Sequence, residues 1–254
     1  MPLTHTPPPG AFNQTFVTDV FADGGIIDRN PSAVGGTWAF RLVDFGGRPA
    51  YEASGHVAAA EVTPLGPEWV SNNFTEVLAL LLAFEQLPDG WTGSAYSDSK
   101  NAISAHSRAA WNPPVKPDYL PDAIWGRMVA ARERLGPVKF TLLGGHPTEA
   151  ELAAGCRRDG KPVSEHNVFC DKAATAAGRA YLASIGQLPE KPKRAAKPKA
   201  DVVNRADVLD LIRTAAVPLG GFDRLDRSEF ASLNMGRLQQ HLIQQVQEMK
   251  GAKR

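Results

Sequence analysis

The sequence predicts an α/β fold, one mixed five-stranded sheet with helices on its faces, followed by a small α-helical C-terminal module. Three observations predict it. Three β-rich runs open the chain in succession with turn signals between them; helical periodicity then alternates with two further short strands; and a Pro/Lys-rich stretch separates all of this from two amphipathic segments near the end. Consecutive strands pair as hairpins, whereas strands separated by helices join the same sheet in parallel, so that element order implies one mixed sheet.

Taken in order, residues 1–14 are proline-rich and short of apolar side chains, and are expected as a disordered leader. Residues 16–22 form a β-rich run that stops at Asp23-Gly24-Gly25, and residues 35–43 form a second, rich in Trp, Phe and Val. Gly46-Gly47 marks a hairpin turn into a third strand that fades near Val62. Residues 73–87 read as a helix, with Val77, Leu78, Leu80, Leu81, Phe84 and Leu87 covering most of its circumference, so it should be nearly buried; Pro88-Asp89-Gly90 stops it. A short strand at 93–97 and a helix at 99–110 follow. The next helix, 121–135, carries Ile124, Trp125, Met128, Val129 and Leu135 on one face and ends at Gly136-Pro137. Residues 138–143 make the last strand. Residues 164–185 make a long helix whose small side chains, Ala173, Ala174, Ala177 and Ala180, would permit close approach to the sheet. The main domain is therefore placed at 15–188. Residues 189–200, with Lys191, Lys193, Arg194, Lys197 and Lys199 among prolines, read as a basic linker, either a solvated spacer or a phosphate-binding strap. Residues 201–254 read as a helical accessory module, a candidate for docking a protein partner or for self-association.

Composition bounds the function classes. Of 254 residues, 43 % are apolar and 22 % charged, which excludes disorder throughout. The longest apolar run, 77–84, is far short of the roughly 18 residues a membrane helix needs. The N-terminus has no Lys or Arg and no apolar stretch to serve as a secretory signal, so a cytoplasmic location is expected. Cys156 and Cys170, lacking C-x-x-C spacing, are expected to be reduced thiols. The net charge of +1 divides unevenly: residues 190–254 carry +5 and residues 1–189 carry −4. That balance argues for no nucleic-acid surface on the main domain, but an acidic domain is reasonable where carboxylates hold divalent cations.

Four carboxylates stand out, and each has a structural explanation of its own. Asp23 precedes two glycines, where Asp commonly starts a turn. Glu76 lies three residues after Asn73, the spacing of a capping box, and Asp98 sits at a strand-to-helix junction, where N-caps occur. Asp171 lies within a helix, where an Asp is usually solvated. Together they read differently, because the first three fall where strand ends and helix starts face one edge of the sheet and the fourth can approach from the last helix. Converging carboxylates without basic partners repel one another, and divalent cations with oxygen ligands relieve that repulsion. Two such ions about 4 Å apart suit in-line displacement at a phosphodiester.

At these residues the chain resembles the type-I ribonuclease H family. The resemblance is carried, in order, by Ala22-Asp23-Gly24-Gly25 with Asn30-Pro31 and Gly35-Gly36-x-Trp38-Ala39; by Ser71-Asn72-Asn73-x-x-Glu76-x-x-Ala79; by Ser97-Asp98-Ser99; by Asp122-x-x-Trp125; by Gly145-His146; and by Asn167-x-x-Cys170-Asp171-x-Ala173. It spans about residues 15–186. It implies a ribonuclease H-like sheet and endonucleolytic hydrolysis of the RNA strand of RNA–DNA hybrids, leaving 5′-phosphates. By the same resemblance Asp23, Glu76, Asp98 and Asp171 hold two divalent cations, Mg²⁺ or else Mn²⁺. Asp23 would bridge the ions, Asp171 would complete the water-activating side, and Glu76 and Asp98 would serve the leaving-group side. His146 would help move a proton or release product. Asn30, Asn72 and Asn73 match positions contacting the RNA strand, where amides read the 2′-hydroxyl, and Ser71 matches a position near a DNA phosphate.

The chain also departs from the family. Many members carry a long basic handle after the second helix; here residues 112–120 are short, with Lys116 as their only base. Residues 147–170 are longer than in compact members and contain Arg157, Arg158, Lys161 and His166, either a substitute basic loop or a plain surface excursion. His166 is a second candidate for the mobile histidine, though His146 fits the motif. Two other functions stay open at this point: a catalytically silent nucleic-acid-binding module on the same fold, and a related nuclease or recombination enzyme directed at DNA.

Overall fold

The computed structural model describes residues 3–8, 10–66 and 70–187, all within one unit, Met1–Pro189. The basic linker expected at 189–200 and the helical module expected at 201–254 lie outside the described residues. The sheet comprises β1 (Val17–Ile27), β2 (Gly35–Asp44), β3 (Pro49–Ala58), β4 (Gly93–Ser97) and β5 (Val138–Leu142), in the spatial order β3-β2-β1-β4-β5. β1, β2 and β3 pair antiparallel, whereas β4 pairs parallel with β1 and β5 parallel with β4. The expected mixed five-stranded sheet is thus the observed one.

Six α-helices accompany it among the described residues: α1 (Ala59–Val62), α2 (Asn72–Phe84), α3 (Lys100–Ala109), α4 (Asp122–Arg134), α5 (Glu149–Ala154) and α6 (Glu165–Ser184). α2 is the centre of the core, with every residue from Phe74 to Phe84 buried. Its apolar side chains meet Val20, Ala22, Phe40 and Leu42 of the sheet and Ile124 and Met128 of α4. Full burial of one such Leu or Phe is worth about 1.5–3 kcal/mol, so this helix anchors the fold. α6 covers the other face over β1, β2 and β3. Among the described residues no helix is long and apolar enough to cross a membrane.

Several expectations are corrected. The leader at 1–14 is not disordered in its described part: Leu3 is buried, Phe12 stacks on Tyr51 with ring centroids 4.7 Å apart, and Arg127 donates to the Leu3 carbonyl. The prolines prevent regular structure, but the few apolar and aromatic residues between them suffice to pin an irregular chain to the sheet. β1 does not stop before Asp23; it runs on to Ile27, pairing Gly24 with Trp38 and Gly25 with Thr37. These glycines mark close approach, not a turn, since a Cβ on Gly24 would lie 2.3 Å from the backbone nitrogen of Glu76. The third strand ends at Ala58, giving way to α1 and a 3₁₀ turn, Thr63–Leu65. On α6 the packed stripe is Asn167, Cys170, Ala174 and Gly178, while Ala180 faces solvent. Cys170 is buried and Cys156 exposed, neither in a disulfide.

Candidate active site

Sheet register places the first two carboxylates. β1 and β4 pair Phe21 with Tyr96, and continuing that register by two residues sets Asp23 level with Asp98 on the same face. Phe21 and Tyr96 stack beneath them with centroids 4.5 Å apart. Glu76 arrives from α2, whose first turn rests on Gly24; its carboxylate accepts from the Gly24 N–H at 3.2 Å and from the Asn72 amide at 3.2 Å. Carboxylate oxygens of Asp23, Glu76 and Asp98 all lie within 4.8 Å of one another.

The individual structural explanations for these residues do not hold. Asp23 is in mid-strand. The N-cap of α2 is Ser71, whose hydroxyl accepts from the Phe74 N–H at 3.3 Å, so Glu76 caps nothing. The N-cap of α3 is Ser99, accepting from the Ala102 N–H at 3.2 Å, so Asp98 is not a cap. Asp23 and Glu76 are buried, and no Lys or Arg among the described residues pairs with any of the three.

The electrostatic consequence is large. Burial, then the charges of Asp98 and Asp171, pushes Asp23 up to about 8. Burial, then the charges of Asp23 and Asp98, pushes Glu76 up to about 9. Asp98 is raised as well, chiefly by burial. Like charges crowded into a low-dielectric site call for a cation. An all-oxygen donor set suits a hard divalent cation.

Asp171, on α6, is half-buried beside this group and acts on Asp23 and Asp98 through its charge. Its Oδ2 lies 3.6 Å from Nδ1 of His146, an otherwise exposed residue in the left-handed region at φ 47°. The loop carrying His146 fits closely, because a Cβ on Gly145 would fall 2.3 Å from Asp98 Oδ2. Arg157 fastens that loop from below, donating to the Gly145 carbonyl at 3.1 Å. His166 lies elsewhere: its ring packs 4.8 Å from Phe21 and takes a hydrogen bond from Arg41 at 3.1 Å.

The amides form a chain leading up to the carboxylates. Asn30 Oδ1 accepts from the Asn72 N–H at 3.2 Å, and Asn73 Oδ1 accepts from the Asn101 amide at 2.8 Å. Sequence reasoning missed Asn101; the signal was its place three residues after Asp98, in the first turn of α3. Arg157, which the sequence left between a basic loop and a plain surface excursion, fastens the histidine loop. The short 112–120 segment offers little to a ligand, since Lys116 is held by Asp122 and the Leu120 carbonyl.

The strand order, the two antiparallel and two parallel pairings, and the helices on both faces define a ribonuclease H-like fold that carries a carboxylate cluster. Solved structures similar to this chain include LC11-RNase H1, isolated from compost by a metagenomic approach, in complex with an RNA/DNA hybrid, at 18 % identity and TM-score 0.43 over 65 % of this chain and 98 % of that one. RNase H1 from the halophilic archaeon Halobacterium salinarum NRC-1 is similar at 18 % identity and TM-score 0.42, over 63 % and 95 % of the two chains. No family model matches the sequence, and no curated protein does.

Proposed function

We propose that this protein is a metal-dependent endonuclease that hydrolyses the RNA strand of RNA–DNA hybrids. The observation that carries the reading is the meeting of Asp23, Glu76 and Asp98, with a carboxylate oxygen of each within 4.8 Å of the others, the first two buried and the third partly so, and none paired with a Lys or Arg among the described residues, on a ribonuclease H-like sheet. Asp23, Glu76, Asp98 and Asp171 would hold two divalent cations, Mg²⁺ or Mn²⁺, which when bound supply an activated water and charge stabilisation for the leaving oxygen. The chain's own groups do the rest. Gly24 and the Asn72 amide fix the Glu76 carboxylate by hydrogen bonds, so it needs little reorganisation on binding. His146, whose Nδ1 lies 3.6 Å from Asp171 while its ring is exposed, is placed to move a proton between the site and bulk water. Asn30, Asn72 and Asn73 line the approach with amide groups that both donate and accept, as a 2′-hydroxyl requires. Ser71, at the cap of α2, presents its hydroxyl beside a helix N-terminus, a favourable place for a phosphate of the DNA strand.

The test is a gel assay of an end-labelled RNA–DNA hybrid beside single-stranded RNA, double-stranded RNA and double-stranded DNA, each with Mg²⁺, Mn²⁺ or chelator. Metal-dependent cutting of the hybrid's RNA strand alone, with 5′-phosphate ends, is the expected result. Binding to the hybrid without cleavage under either metal would instead favour the silent binding module, and cutting of duplex DNA would favour the DNA-directed enzyme.

A further inference from the structure

Several cations of the described residues are committed to other partners. Lys116 is held by Asp122, Lys161 lies 3.3 Å from Asp159, and Arg157 fastens the Gly145 carbonyl. The main domain is moreover acidic, so it has no general field to draw in a polyanion. A substrate strand must find its positive charge locally.

α6 supplies such a place. Lys172, Thr175, Ala176 and Arg179 fall at i, i+3, i+4 and i+7, on one face of the helix, and all four are exposed. With Asp171 they line a groove of about 560 Å³. Neither Lys172 nor Arg179 forms an ion pair or hydrogen bond among the described residues. Ala176 keeps the groove open between the two cations, and Thr175 adds a hydroxyl. Seven residues of helix rise span about 10 Å, which matches about three nucleotides at 3.4 Å of axial rise per strand. Because Asp171 lies beside the carboxylate group and also forms part of the wall of this groove, a strand cut at the carboxylates can run on along it.

We infer that the Lys172–Thr175–Arg179 face of α6 is a phosphate track holding the cleaved strand of the hybrid beyond the carboxylate site. The inference rests on the hybrid-nuclease reading. The track reads no sequence, since it meets phosphates and not bases. It would take the place of the basic handle that residues 112–120 do not form.

The experiment compares the full-length chain with a Lys172→Ala/Arg179→Ala variant and with a Lys172→Arg/Arg179→Lys variant, measuring hybrid affinity against salt and steady-state cleavage. Loss of two phosphate contacts should flatten the slope of log K against log salt by about 1.8 and weaken binding about tenfold near 0.1 M salt. The loss should appear in KM and not in kcat, and the charge-preserving variant should keep the wild-type slope. Wild-type protein that cuts the hybrid while the alanine variant keeps its salt slope would overturn this inference alone. So would a charge-preserving variant as impaired as the alanine one. Wild-type protein that neither binds nor cuts the hybrid would overturn the functional reading, and the track with it.

Discussion

Asp23 shows a conflict between what the fold prefers and what the site requires. Its carboxylate is buried beside Glu76 and Asp98, an arrangement that opposes folding whenever all three are ionised. Asp23→Asn should therefore raise the melting temperature of the metal-free protein at pH 8 by a few degrees, abolish hybrid cleavage, and remove most of the stabilisation that millimolar Mg²⁺ gives the wild type; thermal melts with and without chelator check all three. His106 makes the opposite case, a titratable group with no part in the site. It is fully buried under Phe84, its Nε2–H donates to the Val77 carbonyl at 3.1 Å, and burial, with Arg132 adding to it, lowers it to about 4. Between pH 6.5 and 4 the unfolded chain binds this proton and the folded chain does not, so stability falls as pH falls through that window. His106→Gln should lose up to about 3 kcal/mol less than wild type between pH 7 and pH 4 in urea titrations. An identical pH profile in the two proteins would show that His106 is charged in the fold.

At the scale of elements, the site depends on how closely α2 can approach β1. Gly24→Ala places a methyl 2.3 Å from the Glu76 backbone nitrogen and 2.6 Å from the Thr75 carbonyl oxygen, both unable to rotate away. The helix must lift, at a cost of about 1–3 kcal/mol, and Glu76 lifts with it. Cleavage should fall more than tenfold and the melting temperature by several degrees. Gly126→Ala is the control: nothing lies within 4 Å of that position on the exposed side of α4, so alanine should stabilise the helix by about 0.5–1 kcal/mol. These two glycines also show what sequence could and could not reveal. Gly24-Gly25 read as a turn because glycine signals both a bend and a close backbone contact, and only the partner across the gap distinguishes them. The longer helices were legible, since α2 and α4 announce themselves by apolar spacing and stop residues and α6 by its run of small side chains. α5 was not, because its six residues have no buried side chain to leave a periodic trace. Four carboxylates stood out as a set in the sequence, yet the convergence of Asp23, Glu76 and Asp98 came from the β1–β4 register and the Gly24 contact, neither of which any single segment encodes. The leader misled for a related reason: Leu3 and Phe12 look negligible in composition but each fills one specific place on the sheet.

For the whole molecule, charge is divided between a working unit that repels its proposed substrate and a remainder that attracts it. Residues 1–189 carry −4 and hold the carboxylates, and residues 190–254 carry +5, with five bases inside 189–200. A polyanion approaching the acidic unit gains only from local features such as the α6 groove, whereas each base that meets a phosphate releases counterions and steepens the salt dependence of binding. The unit Met1–Pro189 contains the described sheet, its core and the proposed site residues, so a chain ending at Pro189 should melt cooperatively and keep the kcat of the full protein at saturating hybrid. Its KM should rise, and its salt slope should be shallower by an amount that counts the phosphates met by residues 190–254. That loss should add to the effect of Lys172→Ala/Arg179→Ala, because the two surfaces would meet different phosphates. A truncated chain with unaltered slope and KM would free the basic residues from any role on the hybrid. They would then serve a protein partner or a second copy of the chain, which sedimentation of the full-length protein, beside the truncated one, would show as a change in mass.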